Sequence, residues 1–121
     1  MSGNEVLYSD NVKAKFGTSD DLQIYHDGSD SYIKETGTGN LFIQAAANVQ
    51  IESSTSGENM AVFNENGAVE LYYDNSKKFE TTSTGIKVTG VSEYSDNTAA
   101  IAAGLTTGDV YRTGDLLKIV H

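Results

Sequence analysis

Short apolar segments recur every 8 to 12 residues between positions 22 and 90. Four of them, which begin at residues 22, 49, 69 and 86, alternate strictly between apolar and polar side chains, the period of a half-buried β-strand. Clusters of Gly, Asn, Asp and Ser separate the segments, and these residue types favour tight turns. Many short strands at even spacing predict an all-β sandwich, barrel or solenoid. The predicted strands centre on residues 22–24, 32–34, 41–43, 49–51, 61–63, 69–71, 78–80 and 86–88.

The supply of core-forming side chains is small for a chain of this length. Leu, Ile, Val and Phe contribute 27 of the 121 residues, which is just above the roughly 20% level at which a strongly charged chain is expected to be disordered. The regular strand period argues against disorder. We therefore expect the core to be completed between chains, because an oligomer brings narrow apolar stripes from several copies together. The absence of Pro agrees with long β-ladders, since Pro lacks the backbone donor.

The charge balance and the missing residue types exclude several function classes. The net charge of −9 comes from 17 acids and 8 bases, and there is no basic run, so we expect no nucleic-acid partner. The chain has no Cys and hence neither disulfides nor thiolate zinc sites. No apolar run approaches the roughly 18 residues of a membrane helix, and residues 1–5 do not resemble a signal peptide. We expect a soluble protein made in the cytoplasm, without membrane insertion and without a cofactor.

Two parts of the chain share a local pattern. Residues 7–16 and 71–79 both read Leu-Tyr-x-Asp-Asn, followed by lysines and then Phe, with one extra residue in the first copy. Repetition along one direction is typical of solenoids and fibres. We interpret residues 1–18 as the end of a preceding repeat, which suggests that the chain is cut from a longer fibre.

The composition changes after residue 90. Residues 95–105 predict the only helix, because Ser95 or Asp96 can cap its first turn, the alanines favour helix and Gly104 suits the left-handed position after its end.

Residues 109–112 and 116–120 then predict a β-hairpin around a turn that contains Gly114. A strand array needs a cap that covers its last apolar and backbone groups. We therefore expect residues 1–90 to form a repetitive β shaft and residues 91–121 to form a compact C-terminal tip that caps it.

Several longer motifs stand out in the array and in the end-piece. They are residues 21–29, 31–33, 38–41 and 71–82 in the array, and 100–105, 108–114 and 117–120 in the end-piece. Through these motifs the chain resembles tail-fibre and related virion proteins of marine cyanobacterial phages, and its end-piece resembles a C-terminal module of phage fibre-like proteins. The resemblance implies a homotrimeric, fibrous, β-rich structure on a virus particle, made in the host cytoplasm, and it supplies no catalytic residues.

Acidic residues cluster early in the chain, and paired carboxylates can serve a glycosidase. Acids at turn positions more often shape the turn and add charge, so we expect no enzyme. The two His residues make a catalytic triad improbable, and the acids lack the spacing of a calcium-binding loop. The clustered acids are Asp20, Asp21, Asp27 and Asp30.

His26 is the candidate for an axial site. It shares a predicted strand face with Leu22 and Ile24. On a threefold axis, one His per chain becomes a ring of three that can hold a metal ion or an anion. The alternative, which we favour, is a His at a strand end that faces solvent or bonds to Asp27, so no metal site is assigned.

Tyrosines and the single arginine are the candidates for receptor contacts. Arg112 can hold an acid across a chain interface, with Asp109 and Asp115 nearest in sequence, or contact an anionic receptor. Tyrosine rings can stack on sugars, although cross-strand packing is their commoner use in sheets. We assign Tyr111 and Arg112 as receptor-contact candidates. The tyrosines considered for stacking are Tyr25, Tyr72, Tyr73 and Tyr111.

The sequence thus predicts an intertwined homotrimeric fibre of the β-helix or β-prism type, with one short helix in a C-terminal capping tip. The expected function is structural and adhesive, in a phage tail fibre that attaches the virion to a host-surface glycan or protein receptor. Two alternatives remain open: a monomeric β-sandwich carbohydrate-binding module, and a trimerisation and folding nucleus of a longer virion protein.

Overall fold

The computed structural model describes residue 3 and residues 5–121, and it is all-β apart from one short helix. The chain divides into two compact units, Met1–Ile43 and Gln44–His121. The elements are β1 (Ala14–Phe16), β2 (Leu22–His26), β3 (Ser31–Glu35), β4 (Asn48–Glu52), β5 (Asn59–Asn64), β6 (Val69–Tyr73), β7 (Ser76–Thr82), β8 (Gly85–Val88), α1 (Asn97–Ala102), β9 (Val110–Thr113) and β10 (Leu116–Ile119).

The first unit is an antiparallel sheet in the order β1-β2-β3, with Ile24 opposite both Ala14 and Ile33. The turn between β2 and β3 lies one residue later than the Asp27–Gly28 pair predicts. The Asp27 N–H donates to the Asp30 carbonyl at 3.0 Å, so Gly28 and Ser29 form the apex. Gly28 has a φ of +104°, a region that side chains disfavour.

The second unit contains a five-stranded antiparallel meander in the order β4-β5-β6-β7-β8. Its β6–β7 hairpin pairs Tyr73 with Ser76, which leaves a two-residue turn. The turn residues Asp74 and Asn75 have φ values of +50° and +55°. Two successive positive φ values define a type I′ turn, whose twist matches that of the flanking strands.

The end of the second unit combines α1 with the hairpin β9–β10, in the segments where the sequence predicts a helix and a hairpin. Asp96 caps the helix, because its side chain accepts from the Ala99 N–H at 2.8 Å. Ala100, Tyr111 and Val120 form a buried cluster, and Tyr94 and Leu105 pack against it.

Residues 41–43 do not form the strand predicted for them. All three side chains are exposed, and within the described part of the chain their backbone joins no sheet. The apolar run by itself does not explain this, because Ala61, Val62 and Phe63 are also consecutive apolar residues and lie in β5. Residues 41–43 differ in that no strand of the described chain pairs with them.

The repeated pattern is reproduced only in part. Asn11 and Asn75 both lie in turns with a positive φ, of +66° and +55°, but only Asn75 follows a residue, Asp74, whose φ is also positive. The Phe of each copy lies in the strand that follows, β1 and β7. The preceding Leu differs, because Leu71 lies in β6 whereas Leu7 lies outside any strand.

Candidate functional site

The five-stranded sheet has one continuous apolar face. Residues opposite each other in an antiparallel ladder point to the same side, so the strand registers assign this face directly. Its members, called the apolar face below, are Val49 and Ile51 of β4, Ala61 and Phe63 of β5, Val69 and Leu71 of β6, Phe79 of β7, and Ile86 and Val88 of β8.

Five of the nine members of the apolar face are exposed in a single chain, whereas Ala61 is buried and Val49, Val69 and Phe79 are partly buried. The exposed members Ile51, Phe63, Leu71, Ile86 and Val88 are between 43% and 66% exposed. Monomeric soluble proteins rarely leave a contiguous apolar patch of this kind open to water. The sheet therefore has one layer where a stable domain normally has two.

The exposed area of the whole chain leads to the same conclusion. It amounts to 9381 Å², whereas a folded monomer of 12.9 kDa is expected to expose about 6300 Å². Two separate bodies with the mass of the two units would still expose only about 7500 Å². The excess of roughly 2000 Å² over two separate bodies shows that the chain buries less of its surface than folded monomers of these masses do.

The opposite face of the same sheet carries an ionic network. Lys77 Nζ lies 3.0 Å from Glu70 Oε1 and also pairs with Glu80. Lys87 Nζ lies 3.3 Å from the other Glu80 oxygen, and the Tyr72 hydroxyl donates to Glu70 at 2.7 Å. Two lysines and two glutamates thus form a charge-neutral group that suits a solvated surface.

These contacts shift the pKa values of the network in consistent directions. The hydrogen bond from Tyr72, together with that from Lys77, lowers the pKa of Glu70 below its usual value. Hydrogen bonds from Lys77 and Lys87 lower the pKa of Glu80. The same bonds, to Glu80 and Glu70, raise the pKa of Lys77. The network therefore favours the charged form of all three groups.

The three-stranded sheet of the first unit has two unlike faces. On one face, the exposed side chains of Ile24 and Ile33 line a groove together with Tyr8, His26 and Ser31. His26 lies at the end of β2, exposed, with its Nδ1 3.1 Å from Ser31 Oγ. It is thus a strand-end histidine, and its partner is Ser31 rather than Asp27. The axial ring proposed for it needs a threefold axis and remains a prediction.

The other face of this sheet, called the basic face below, carries all three lysines of the first unit. Lys13 Nζ lies 4.4 Å from the centre of the Tyr25 ring and donates to Gln23 Oε1 at 2.9 Å. The Tyr25 and Tyr32 rings stack with centroids 4.7 Å apart. The members of the basic face are Lys13, Lys15, Gln23, Tyr25, Tyr32 and Lys34.

The tyrosines considered for sugar stacking are largely occupied within the chain. Tyr25 lies between Lys13 on the β1 side and Tyr32 on the β3 side, so both of its ring faces are covered. Tyr72 is tied to Glu70, and Tyr73 is exposed beside the β6–β7 turn. Tyr25 packs against Tyr32 on the neighbouring strand, which is the commoner use of Tyr in sheets.

Tyr111 and Arg112 are adjacent in β9 but differ in environment. Tyr111 is 2% exposed in the cluster with Ala100 and Val120, so its ring is not open within one chain, and its assignment as a receptor contact stays a prediction. Arg112 is half-exposed, and its guanidinium pairs with Glu93 and donates to the Gly114 carbonyl at 3.0 Å.

The partner of Arg112 within the chain is therefore Glu93 and not Asp109 or Asp115. Sequence reasoning missed Glu93 because the two residues meet through a parallel bridge between separate segments. Asp109 instead accepts from the Thr106 N–H and hydroxyl, at 2.7 and 3.0 Å, and these bonds lower its pKa.

The clustered aspartates serve turns and ion pairs. The Asp27 carboxylate accepts from the Asp30 N–H at 2.8 Å, the Ser29 N–H at 2.9 Å and the Tyr32 hydroxyl at 2.9 Å. The two backbone bonds are the main reason why the pKa of Asp27 is lowered. Asp20 pairs with Lys15 at 2.6 Å.

Three further findings complete the description. Among the described residues, no group of three or more His, Cys, Asp or Glu side chains is placed to hold a metal ion. Within the same residues, no helix has the length and apolarity that a membrane crossing requires. No family model, no curated protein and no solved structure gives a significant match to the chain.

Proposed function

We propose that the protein is a structural and adhesive component of a phage tail fibre, built as a homotrimer whose chains share one core. The observation that carries this proposal is the uncovered apolar face of the five-stranded sheet, described above. A thin core in each chain and an excess of exposed area agree with it. Three chains that turn their apolar faces to a common axis would leave the ionic network of Lys77, Glu70 and Glu80 on the outside.

The energy available from such an assembly is large enough to matter. Burying the exposed half of one large apolar side chain contributes roughly 1 kcal/mol. The five half-exposed members of the apolar face would then contribute about 5 kcal/mol per chain. Whole domains are stable by only about 5 to 15 kcal/mol, so closure of this face can decide whether the chain is folded.

The placement on a tail fibre and the adhesive role are supported by the resemblance of the array and the end-piece to phage fibre proteins. Trimerisation also gives adhesion a physical basis. Three identical weak sites on one rigid body raise the avidity without any new contact. The fibre would thus attach a virion through repeated surfaces of modest individual affinity.

The test is the solution mass, measured by light scattering on the full chain and on two matched variants. Three copies of the 12.9 kDa chain give about 38.7 kDa. Ile51→Lys places a charge on the apolar face, whereas Gln50→Lys changes the adjacent residue of β4 on the opposite face. We expect three copies for the parent and for Gln50→Lys, and dissociation for Ile51→Lys.

Two results would remove the proposal. A parent mass near that of one chain would favour the monomeric β-sandwich carbohydrate-binding module over the trimeric fibre. Trimers for both variants would mean that the apolar face is not where the chains meet.

A second candidate role, favoured by one observation, is that residues 91–121 act as a folding nucleus. The fully buried large side chains of the described residues, Tyr111 and Val120, both lie in this segment. It can therefore acquire order before the rest of the chain finds partners. Residues 1–90 expressed alone provide the test, because a trimer formed without residues 91–121 rules the nucleus out.

A further inference from the structure

The basic face of the first unit concentrates positive charge in an acidic protein. The chain carries a net charge of −9, yet Lys13, Lys15 and Lys34 all project from one side of a three-stranded sheet. Among the described residues, the one ion pair of this unit joins Lys15 to Asp20. Lys13 and Lys34 have no carboxylate within ion-pair distance in that part of the chain, so their charge is available to a partner.

Lys13 is held in place by neutral groups. Its ammonium lies over the Tyr25 ring at 4.4 Å and donates to Gln23 Oε1 at 2.9 Å. The Gln23 amide is fixed in turn, because its Nε2 donates to the Asp20 carbonyl at 3.1 Å. An ammonium has three donors, so Lys13 keeps two for a ligand. This differs from Lys77, whose charge is neutralised by Glu70 and Glu80.

The spacing of the lysines fits a polymer better than a single anion. Lys15 and Lys34 lie on the two strands that flank Gln23, which places their backbones about 10 Å apart. Lys13 and Lys15 are alternate residues, about 7 Å apart along one strand. A chain that carries anionic groups at intervals can contact two or three ammonium groups at once.

Two observations decide which polymer fits. Single-stranded nucleic acids bind through bases that stack on open aromatic rings, whereas both faces of Tyr25 are covered by Lys13 and Tyr32. Anionic membranes attract clusters of about four to eight basic residues, whereas this face carries Lys13, Lys15 and Lys34 alone among the described residues.

We propose that the basic face binds an anionic polysaccharide through Lys13, held by Gln23 and Tyr25, and through Lys34. Lys15 joins them only by exchanging its ion pair with Asp20 for one with the ligand. This inference rests on the proposed attachment function and names the class of its partner. The anionic groups would be carboxylates, sulfates or phosphates on the sugar chain, since each accepts charge-assisted hydrogen bonds from ammonium groups. In a trimer the surface would be present three times.

The experiment measures binding of dextran sulfate to the full-length protein at low ionic strength, with uncharged dextran as the reference ligand. We expect binding of dextran sulfate only, weakened by added salt. Lys13→Gln should lower the affinity about tenfold, and Gln23→Leu, which keeps the charge, should lower it by a smaller factor. Lys78→Gln removes the same charge from an exposed position outside the basic face and should change the affinity less than about twofold. Melting curves confirm that each variant is folded.

Three results would overturn the inference: no binding by a folded parent protein, equal losses for Lys13→Gln and Lys78→Gln, or equally tight, Lys13-dependent binding of oligothymidylate or of anionic lipid vesicles. The mass of the same samples separates this outcome from the proposed function. A three-chain mass without dextran sulfate binding would contradict the polysaccharide site and remain consistent with the proposed trimeric fibre. A one-chain mass with Lys13-dependent binding would support the polysaccharide site and contradict the proposed trimeric fibre.

Discussion

The side chain of Asn97 and the backbone of His121 form a reciprocal pair of hydrogen bonds. Asn97 Nδ2 donates to the His121 backbone oxygen at 2.7 Å, and the His121 N–H donates to Asn97 Oδ1 at 3.1 Å. The Asn97 side chain thereby makes the two hydrogen bonds with the His121 backbone that a neighbouring β-strand would make. This pairing holds the last strand segment against the helix, where Val120 contributes to the buried cluster.

Replacing Asn97 should loosen this end of the second unit. Asn97→Ala removes both hydrogen bonds, and we expect a loss of about 1 to 2 kcal/mol in the free energy of unfolding. Chemical denaturation of the variant and of Asn40→Ala, at an exposed loop position, provides the measurement and its control. Equal stability of the two variants would mean that the pair contributes nothing.

Tyr111 should be the most costly tyrosine to truncate. Its ring is 2% exposed and fills the cluster with Ala100 and Val120. We expect Tyr111→Ala to cost about 3 to 5 kcal/mol, the range for large buried aromatic residues. Tyr111→Phe keeps the ring and should cost under about 1.5 kcal/mol, as shape-conserving changes do. A similar loss for both variants would show that the hydroxyl, and not the packing of the ring, stabilises this cluster.

The type I′ turn predicts that two substitutions of Asn75 differ in their effect on stability. Asn75 has a φ of +55°, which Gly adopts freely and a β-branched residue adopts only at a cost. Asn75→Val should lower the stability by about 1 to 2 kcal/mol, whereas Asn75→Gly should leave it within about 0.5 kcal/mol of the parent. Thermal melts of the two variants side by side test the turn, and a stable Asn75→Val protein would contradict its geometry.

The ionic network predicts a loss of stability in acid. The pKa values of Glu70 and Glu80 are lowered in the folded protein relative to the usual value of 4.5. A group with a lowered pKa stabilises the fold above its unfolded pKa, and this stabilisation is lost as the pH falls through the folded pKa. The melting temperature should therefore fall as the pH is lowered below about 4.5.

A variant comparison isolates the contribution of the network. The double variant Glu70→Gln, Glu80→Gln should show a shallower decline of the melting temperature in acid than the parent protein does. Glu65→Gln, in the exposed turn between β5 and β6, should keep the parent's decline. A double variant with an unchanged pH profile would show that other acids account for the acid sensitivity.

Local sequence patterns were sufficient to predict most of the strands. The alternating segments at 22–24, 49–51, 69–71 and 86–88 all lie within strands, because a period of two leaves no helical alternative. The segment 41–43 was predicted wrongly, because a local apolar run does not show whether a neighbouring strand is there to pair with it. Residues 61–63 are equally apolar and lie in β5, whereas residues 41–43 pair with no strand of the described chain.

The surfaces were harder to predict than the strands. The pairing of Arg112 with Glu93 depends on a bridge between distant segments, and no local pattern encodes it. The burial of Tyr111 depends in the same way on α1 and Val120 folding over it. The basic face was out of reach for the same reason, because Lys34 joins Lys15 only through the register of Gln23 with both residues, which the sequence does not give.

The single-layered sheet has a consequence for how the protein must be handled. If other copies cover the apolar face, folding and association are one equilibrium, and the stability depends on the amount of protein present. Each tenfold dilution would then lower the free energy that holds the trimer together by about 1.4 kcal/mol for each of its two association steps. Dilution would thus act on this protein as a denaturant, without urea or heat.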